Sequence, residues 1–176
     1  MAVAPGQGIQ VHREPGGVLH AYVGLVRTKE WIDTIDFSDP VSATARVVAE
    51  FDGWHPALKA LITDGDKAPV LRAVHALPQD HRWSRRPGVT LLGDAAHLMP
   101  PSGEGANLAM IDAAELGNAI AKGGADTEVA LSAYEKKMLA RSTIAAKEAA
   151  EAKQVLYGEN TPQTLLDFFD AKQAAQ

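Results

Sequence analysis

The sequence predicts an α+β chain that ends in long helices, on three observations. Its first third sets extended runs around a proline–glycine turn. Its middle holds a short apolar run feeding a glycine-rich turn and a helix. Its last third repeats apolar residues at helical spacing. Residues 9–13 and 18–26 flank Pro15-Gly16-Gly17, as the strands of a hairpin do. Residues 41–51 form a predicted helix, with Asp39 as its cap and Pro40 in its first turn. A short helix is expected over 56–62 and a turn over 63–66. Residues 70–77 are a predicted strand ended by Pro78. Residues 89–92 are a second, apolar enough to be buried. A helix follows over about 105–121 and is stopped by Gly123-Gly124. Asp126-Thr127 caps the next, which runs to about residue 156 with Leu131, Tyr134 and Met138 on one stripe. Its later half has few large apolar residues and is expected to lie along a surface. Thr161-Pro162 opens a last helix with Leu165, Phe168 and Phe169 on one side.

Composition narrows the function classes. The 176 residues are 46% apolar and 22% charged, ordinary values for a soluble domain. A net charge of −5, with Lys and Arg scattered, argues against nucleic acid, whose phosphates need a basic surface. With no cysteine there is no disulfide, thiolate metal site or cysteine nucleophile. No apolar run reaches membrane-span length and the N-terminus lacks a signal-peptide pattern, so a cytoplasmic protein with no membrane partner is expected. The six histidines show no metal-ligand spacing; the closest pair is His75 and His81, and no metal site is expected.

The segment from Leu91 to Asp112 carries the chemistry. An apolar run ends in Gly93-Asp94, where glycine lets the backbone approach a ligand and an ionised Asp accepts hydrogen bonds from hydroxyls. A proline-rich turn leads to Gly103-Glu104-Gly105-Ala106-Asn107, which opens a helix. Free N–H groups and the positive end of the helix dipole suit an anionic, flat ring there. Asp112 falls on the apolar side of this helix with Leu108 and Leu116, so it needs backbone N–H groups or a basic side chain as partners. Ala109, Ala113, Ala114 and Gly117 are small, so close packing against the helix is expected.

Taken together, Gly93-Asp94-Ala95-Ala96-His97, Pro100, Gly103-x-Gly105-x-Asn107 and Asp112-Ala113 resemble the second flavin motif of the single-component aromatic hydroxylases, the monooxygenases with the para-hydroxybenzoate hydroxylase fold. The approach, from Leu77 to Trp83 and then Pro87-Gly88-Val89-Thr90, is similar too. From about Ile9 to Phe169 the chain looks most like the tetracycline-inactivating branch. The resemblance implies the C-terminal part of an FAD/NAD(P)-binding α/β flavoprotein. Residues 1–88 would belong to a substrate-binding sheet lobe, 89–125 to a flavin-binding strand-turn-helix, and 126–176 to C-terminal helices. It implies hydroxylation of an aromatic or polyketide-like substrate with NAD(P)H and O2, through a flavin C4a-hydroperoxide. FAD would be bound by Gly93, Asp94, Pro100, Pro101, Gly103, Glu104, Gly105, Ala106 and Asn107. His20 and Tyr22 would face the substrate. No residue need serve as a catalytic acid, base or nucleophile, because the cofactor carries the chemistry.

The departure from the family is the missing Gly-x-Gly-x-x-Gly of the ADP-binding half; Gly6, Gly8, Gly16 and Gly17 have neither its spacing nor a following helix. The chain is therefore expected to be incomplete as an enzyme, and either to form a homodimer over an exposed apolar patch, to pair with a separate N-terminal FAD-binding half, or to be truncated. The rival readings are a non-catalytic module that binds an aromatic ligand or a partner, and another flavin-linked reaction on the same scaffold. Locally, His97 can equally stabilise the turn, and Glu104 suits the first helical turn for dipole reasons alone.

Overall fold

A computed structural model describes residues 1–174. It is an α+β structure: helices plus one antiparallel sheet of three strands in the order β1-β2-β3. The chain divides into two compact units, Met1–Ala73 with Gln154–Gln176, and Val74–Lys153. Among the described residues no helix is long and apolar enough to cross a membrane.

The first unit begins with β1 (Ala2–Ala4), β2 (Gln7–Arg13) and β3 (Leu19–Leu25). The expected hairpin is β2 and β3, paired so that Ile9 opposes Val23 and His12 opposes His20. Its turn is a 3-10 segment, Pro15–Gly17. Gly16 and Gly17 both sit at φ 83°, a left-handed conformation that residues with a Cβ avoid. The three-residue strand β1 is an addition to the predicted elements. Helices α1 (Lys29–Asp33), α2 (Pro40–Val48) and α3 (Pro56–Thr63) follow. Asp39 caps α2 as expected, its carboxylate accepting from the Val41 and Ser42 amides. A 3-10 segment, Ala49–Phe51, extends α2 and buries Phe51, whose ring meets Trp54 edge-on at 4.9 Å.

Glu50 is the polar hub of this unit. It accepts from Arg27 Nε at 2.8 Å, Trp31 Nε1 at 3.1 Å and Arg46 Nη1 at 3.2 Å. The Arg27 contact, first among these, holds its carboxyl below the usual range against the opposing effect of burial. Arg27 also donates to the Gly6 and Val26 carbonyls, tying the helical segment to the sheet.

Tyr157 closes the other end. Its carbonyl accepts from the Gly6 amide at 3.0 Å. Its ring lies so near β2 and β3 that a Cβ on Gly24 would stand 2.5 Å from the phenol oxygen and one on Gly8 3.2 Å from Cε1. The glycines are thus required here by space rather than by φ. Burial raises the Tyr157 phenol above its ordinary value.

The second unit contains α4 (Asp94–His97), α5 (Gly105–Gly123) and α6 (Thr127–Tyr157) up to Lys153. Gly124, at φ 49°, ends α5 where the sequence placed its stop. The predicted stripe on α6 is buried: Leu131, Tyr134 and Met138, with Ala96 completing the core and Trp83, Leu116, Ala119 and Leu139 packed around it. The stripe continues through Ser142, Ala146 and Ala149, all buried, so the later half of α6 is not wholly superficial; small residues do there what large ones do earlier. The helix α7 (Gln163–Ala174) belongs to the first unit. Leu165 is half-buried, whereas Phe168 and Phe169 are exposed and touch each other edge-on at 5.7 Å.

Two predicted strands do not form. Residues 70–77 are irregular, with Val70 and Val74 exposed and the Leu77 amide bonded to the Leu98 carbonyl. Residues 89–92 make one isolated bridge, Arg86 to Val89, and Val89, Leu91 and Leu92 are exposed. A strand needs a neighbour to take its backbone groups. Here side chains of α6 bond this segment instead. Glu128 accepts from the Gly88 amide at 2.6 Å, Tyr134 donates to the Leu91 carbonyl at 3.2 Å, and Glu135 accepts from Thr90 Oγ1 at 2.7 Å. Arg85 bridges Glu128 and Glu135 and donates to the Val89 carbonyl.

The Tyr157 clasp yields a stability test. Gly24→Ala should destabilise by about 1–3 kcal/mol, since the ring must be displaced from a packed position. Gly117→Ala, in a helix where an added Cβ meets nothing within 4 Å, should be neutral or stabilising by up to about 1 kcal/mol. Urea midpoints of both variants check the contrast.

Candidate functional site

Gly93 is the pivot of the site. It sits at φ 58°, ψ −144°, and caps α4 through its carbonyl, which accepts from the Ala96 and His97 amides at 2.9 and 3.0 Å. An added Cβ would lie 3.3 Å from the Ala109 methyl, so the small residue at 109 does meet a close neighbour, as expected. Ala113, Ala114 and Gly117 on the same helix are exposed.

The Gly93 amide donates to Asp112 Oδ2 at 3.0 Å. Asp112 is fully buried. Its Oδ2 also meets His97 Nε2 at 2.6 Å, and its Oδ1 accepts from Arg141 Nη2 at 2.8 Å. An ionised carboxylate only accepts, so His97 Nε2 carries the proton in this pair. Arg141 continues with both terminal nitrogens to Glu115, at 3.2 and 3.0 Å. Both kinds of partner expected for Asp112, a backbone N–H and a basic side chain, are thus in place. Burial, the largest influence on Asp112, raises its pKa. Arg141, His97 and the Gly93 amide together outweigh burial and hold it below the ordinary range. Tyr134 nearby is pushed up to about 12, by burial first and by the Asp112 charge second.

The rest of the predicted cofactor-binding set is presented to solvent around this anchor. Asp94, the first residue of α4, is exposed. Pro100 is half-buried and Pro101 exposed. Gly103 stands at φ 90°, a left-handed conformation, and neither it nor Gly105 has an atom within 4 Å of an added Cβ. Glu104 is the residue before α5 and makes no side-chain cap, only a long 3.5 Å contact with Asn107 Nδ2. The first intrahelical bond runs from the Leu108 amide to the Glu104 carbonyl at 2.9 Å. The amides of Gly105, Ala106 and Asn107 therefore open a 19-residue helix without a side-chain cap. Such an end attracts negative charge by roughly 0.3–1 kcal/mol when exposed.

The predicted substrate residues lie in the first unit. His20 and Tyr22 follow one another on the same face of β3, with rings stacked 5.1 Å apart and nearly parallel; His12 stacks against both. Sequence reasoning did not nominate Arg141 or His12. The need for a base at Asp112 was readable, but its identity 29 residues away was not.

The comparisons agree with the middle of the chain. Residues 71–149 match the FAD binding domain family. The chain is 42% identical over 90 residues to the dual O-methyltransferase/FAD-dependent monooxygenase elcB of Phaeosphaeria nodorum, an alignment covering 49% of this chain and 10% of that protein. It is 32% identical over 111 residues to the dual O-methyltransferase/FAD-dependent monooxygenase CTB3 of Cercospora beticola, covering 57% and 13%. With 6-hydroxynicotinate 3-monooxygenase of Bordetella bronchiseptica it shares 43% identity over 79 residues, covering 43% and 19%. The chain thus spans between a tenth and a fifth of the length of these curated relatives. The matched stretch includes Gly93, Asp112 and Arg141, so the buried anchor lies inside it.

The anchor has a pH signature. The folded pKa of Asp112 is below its unfolded 3.8, so its contribution to stability is complete above pH 3.8 and is lost as pH falls through the folded value. Asp112→Asn should lower stability at pH 7 by about 1.5–3 kcal/mol, through weakened charged hydrogen bonds. It should also flatten the fall below pH 4. Urea unfolding of both proteins from pH 7 to pH 2 checks this; parallel curves would contradict it.

Proposed function

We infer, from the match of residues 71–149 to the FAD binding domain family and from the likeness of this stretch to FAD-dependent monooxygenases, that this chain supplies the isoalloxazine side of a flavin site. The intact enzyme then hydroxylates an aromatic or polyketide-like small molecule with NAD(P)H and O2. The observation that carries the reading is the uncapped α5 N-terminus beyond Gly103, set next to a Gly93 turn that a buried carboxylate holds in place. The residues fit the group: two open glycines leave room for a flat ring, and free amides suit its anionic edge.

Bound FAD would supply the electron transfer from the nicotinamide to oxygen and the oxygen insertion itself. The chain's part is positional. The exposed Asp94 carboxylate would accept hydrogen bonds from ribityl hydroxyls. The Gly105, Ala106 and Asn107 amides would donate to the ring's carbonyl edge, while Pro100 and Pro101 stiffen the approach and Glu104 flanks it. His20 and Tyr22 would contact the substrate, in the manner of the tetracycline-inactivating branch of the para-hydroxybenzoate hydroxylase fold. The ADP end of the cofactor needs a further half, supplied from outside these 176 residues or by a second copy. Met110, Ile111 and Ile120 on α5, and Val89, Leu91 and Leu92, are exposed apolar side chains that such a half could cover.

A second reading is favoured by one observation: the 176 residues contain no Gly-x-Gly-x-x-Gly. On that reading the chain is a ligand- or partner-binding module without turnover.

FAD titration of the purified chain, by calorimetry and by the visible flavin spectrum, separates the two. Saturable binding with a shifted spectrum is expected. Asp94→Ala should weaken it by about tenfold or more, the size of a hydrogen bond to a charged group. Absence of binding would leave the non-catalytic module as the reading of this chain.

A further inference from the structure

The hairpin carries a second cluster that the flavin reading does not use. His12 on β2 and His20 on β3 are directly opposed in the antiparallel register. Alternation of side chains places Glu14, two residues after His12, on the same face. His12 Nε2 lies 2.7 Å from Glu14 Oε1, and His20 Nδ1 lies 4.0 Å from the same oxygen. One ligand atom from each of the three residues falls within 4.8 Å of the other two.

We propose that His12, Glu14 and His20 form a binding site for a divalent transition-metal ion of borderline softness, the class of zinc, nickel and copper(II). Two imidazoles and one carboxylate are the ligand types such ions take, and they leave a fourth position open. Ligand bonds of about 2.0–2.2 Å in tetrahedral geometry place donor atoms about 3.3 Å apart, so side-chain rotations of modest size close the observed triangle. Magnesium and calcium, which prefer oxygen ligands, fit this set poorly.

The scaffold is prepared for the task. Glu14 is fixed by the turn, its amide donating to the Val18 carbonyl at 2.8 Å and its carbonyl accepting from the Gly17 amide at 3.2 Å. The Tyr22 ring stacks against His20 at 5.1 Å with an interplanar angle of 4°, and the His12 ring packs against both, 5.5 Å from His20 and 5.6 Å from Tyr22. Both imidazoles are therefore oriented before any ion arrives. The Glu14 carboxylate accepts from His12, which keeps it beside the position the ion would take. The spacing His-x-Glu-x5-His is no recognised motif; only the strand register brings the residues together. The inference stands on the hairpin and not on the flavin site, and it gives His20 a role separate from substrate contact.

Calorimetric titration of the FAD-free chain with Zn2+ tests it. One ion per chain is expected, with a rise in melting temperature that chelator reverses. His12→Ala and His20→Ala should each weaken binding at least tenfold, and Glu14→Gln should weaken it less. His75→Ala, outside the cluster, should leave it unchanged. His20→Gln, with circular dichroism, verifies that the hairpin stays folded in a binding-deficient variant. Absence of saturable Zn2+ binding, or binding that survives His12→Ala and His20→Ala, would overturn the proposal. FAD titration in the presence of chelator reports the flavin reading separately.

Discussion

The carboxylate of Asp112 organises the unit in which it is buried. An isolated charge taken out of water is expensive, and only a full set of donors makes it tolerable. Here the donors come from three places in the chain: the Gly93 amide, the His97 ring and the Arg141 guanidinium. Because each is needed, the glycine turn, α4, α5 and α6 are bound into one cooperative arrangement. The left-handed Gly93 is part of this arrangement. In that conformation its amide donates to Asp112, and its lack of a Cβ lets Ala109 come near. The exposed Asp94 follows from the same turn. A position that would serve a ligand is held by one that serves stability.

This separation explains why the residues with the strongest interactions are not those assigned to the cofactor. His97, Asp112, Glu115 and Arg141 bond to one another within the protein. The sequence Gly103 to Asn107 does the opposite, leaving amides free and glycines without neighbours. A site for a large planar cofactor asks for that combination: a rigid support and an unfilled face. In the other unit, Glu50 with Arg27 and the Tyr157 ring against Gly8 and Gly24 play the supporting part for the hairpin.

Local chemistry made much of this legible. Asp39-Pro40, the Pro15-Gly16-Gly17 turn and the Gly123-Gly124 stop each act within a few residues, and each falls where the sequence places it. The stripe Leu131, Tyr134 and Met138 likewise depends only on helical period. The two missing strands show the limit. Val70 and Val89 have strand-forming side chains, but a strand exists only with a partner, and α6 supplies side-chain hydrogen bonds to 88–91 in its place. Asp112 shows the intermediate case: its burial dictates the kinds of partner it must have, while Arg141 can be identified only in three dimensions. The opposition of His12 and His20 is a property of register and is invisible to spacing.

The most direct measurement of the account is hydrogen exchange at the Gly93 amide, followed by NMR. If Asp112 holds the turn as described, this amide exchanges slowly, with protection comparable to the buried turns of α5. Rapid exchange at Gly93 in an otherwise protected unit would contradict the claim that the buried Asp112 carboxylate holds this turn in place.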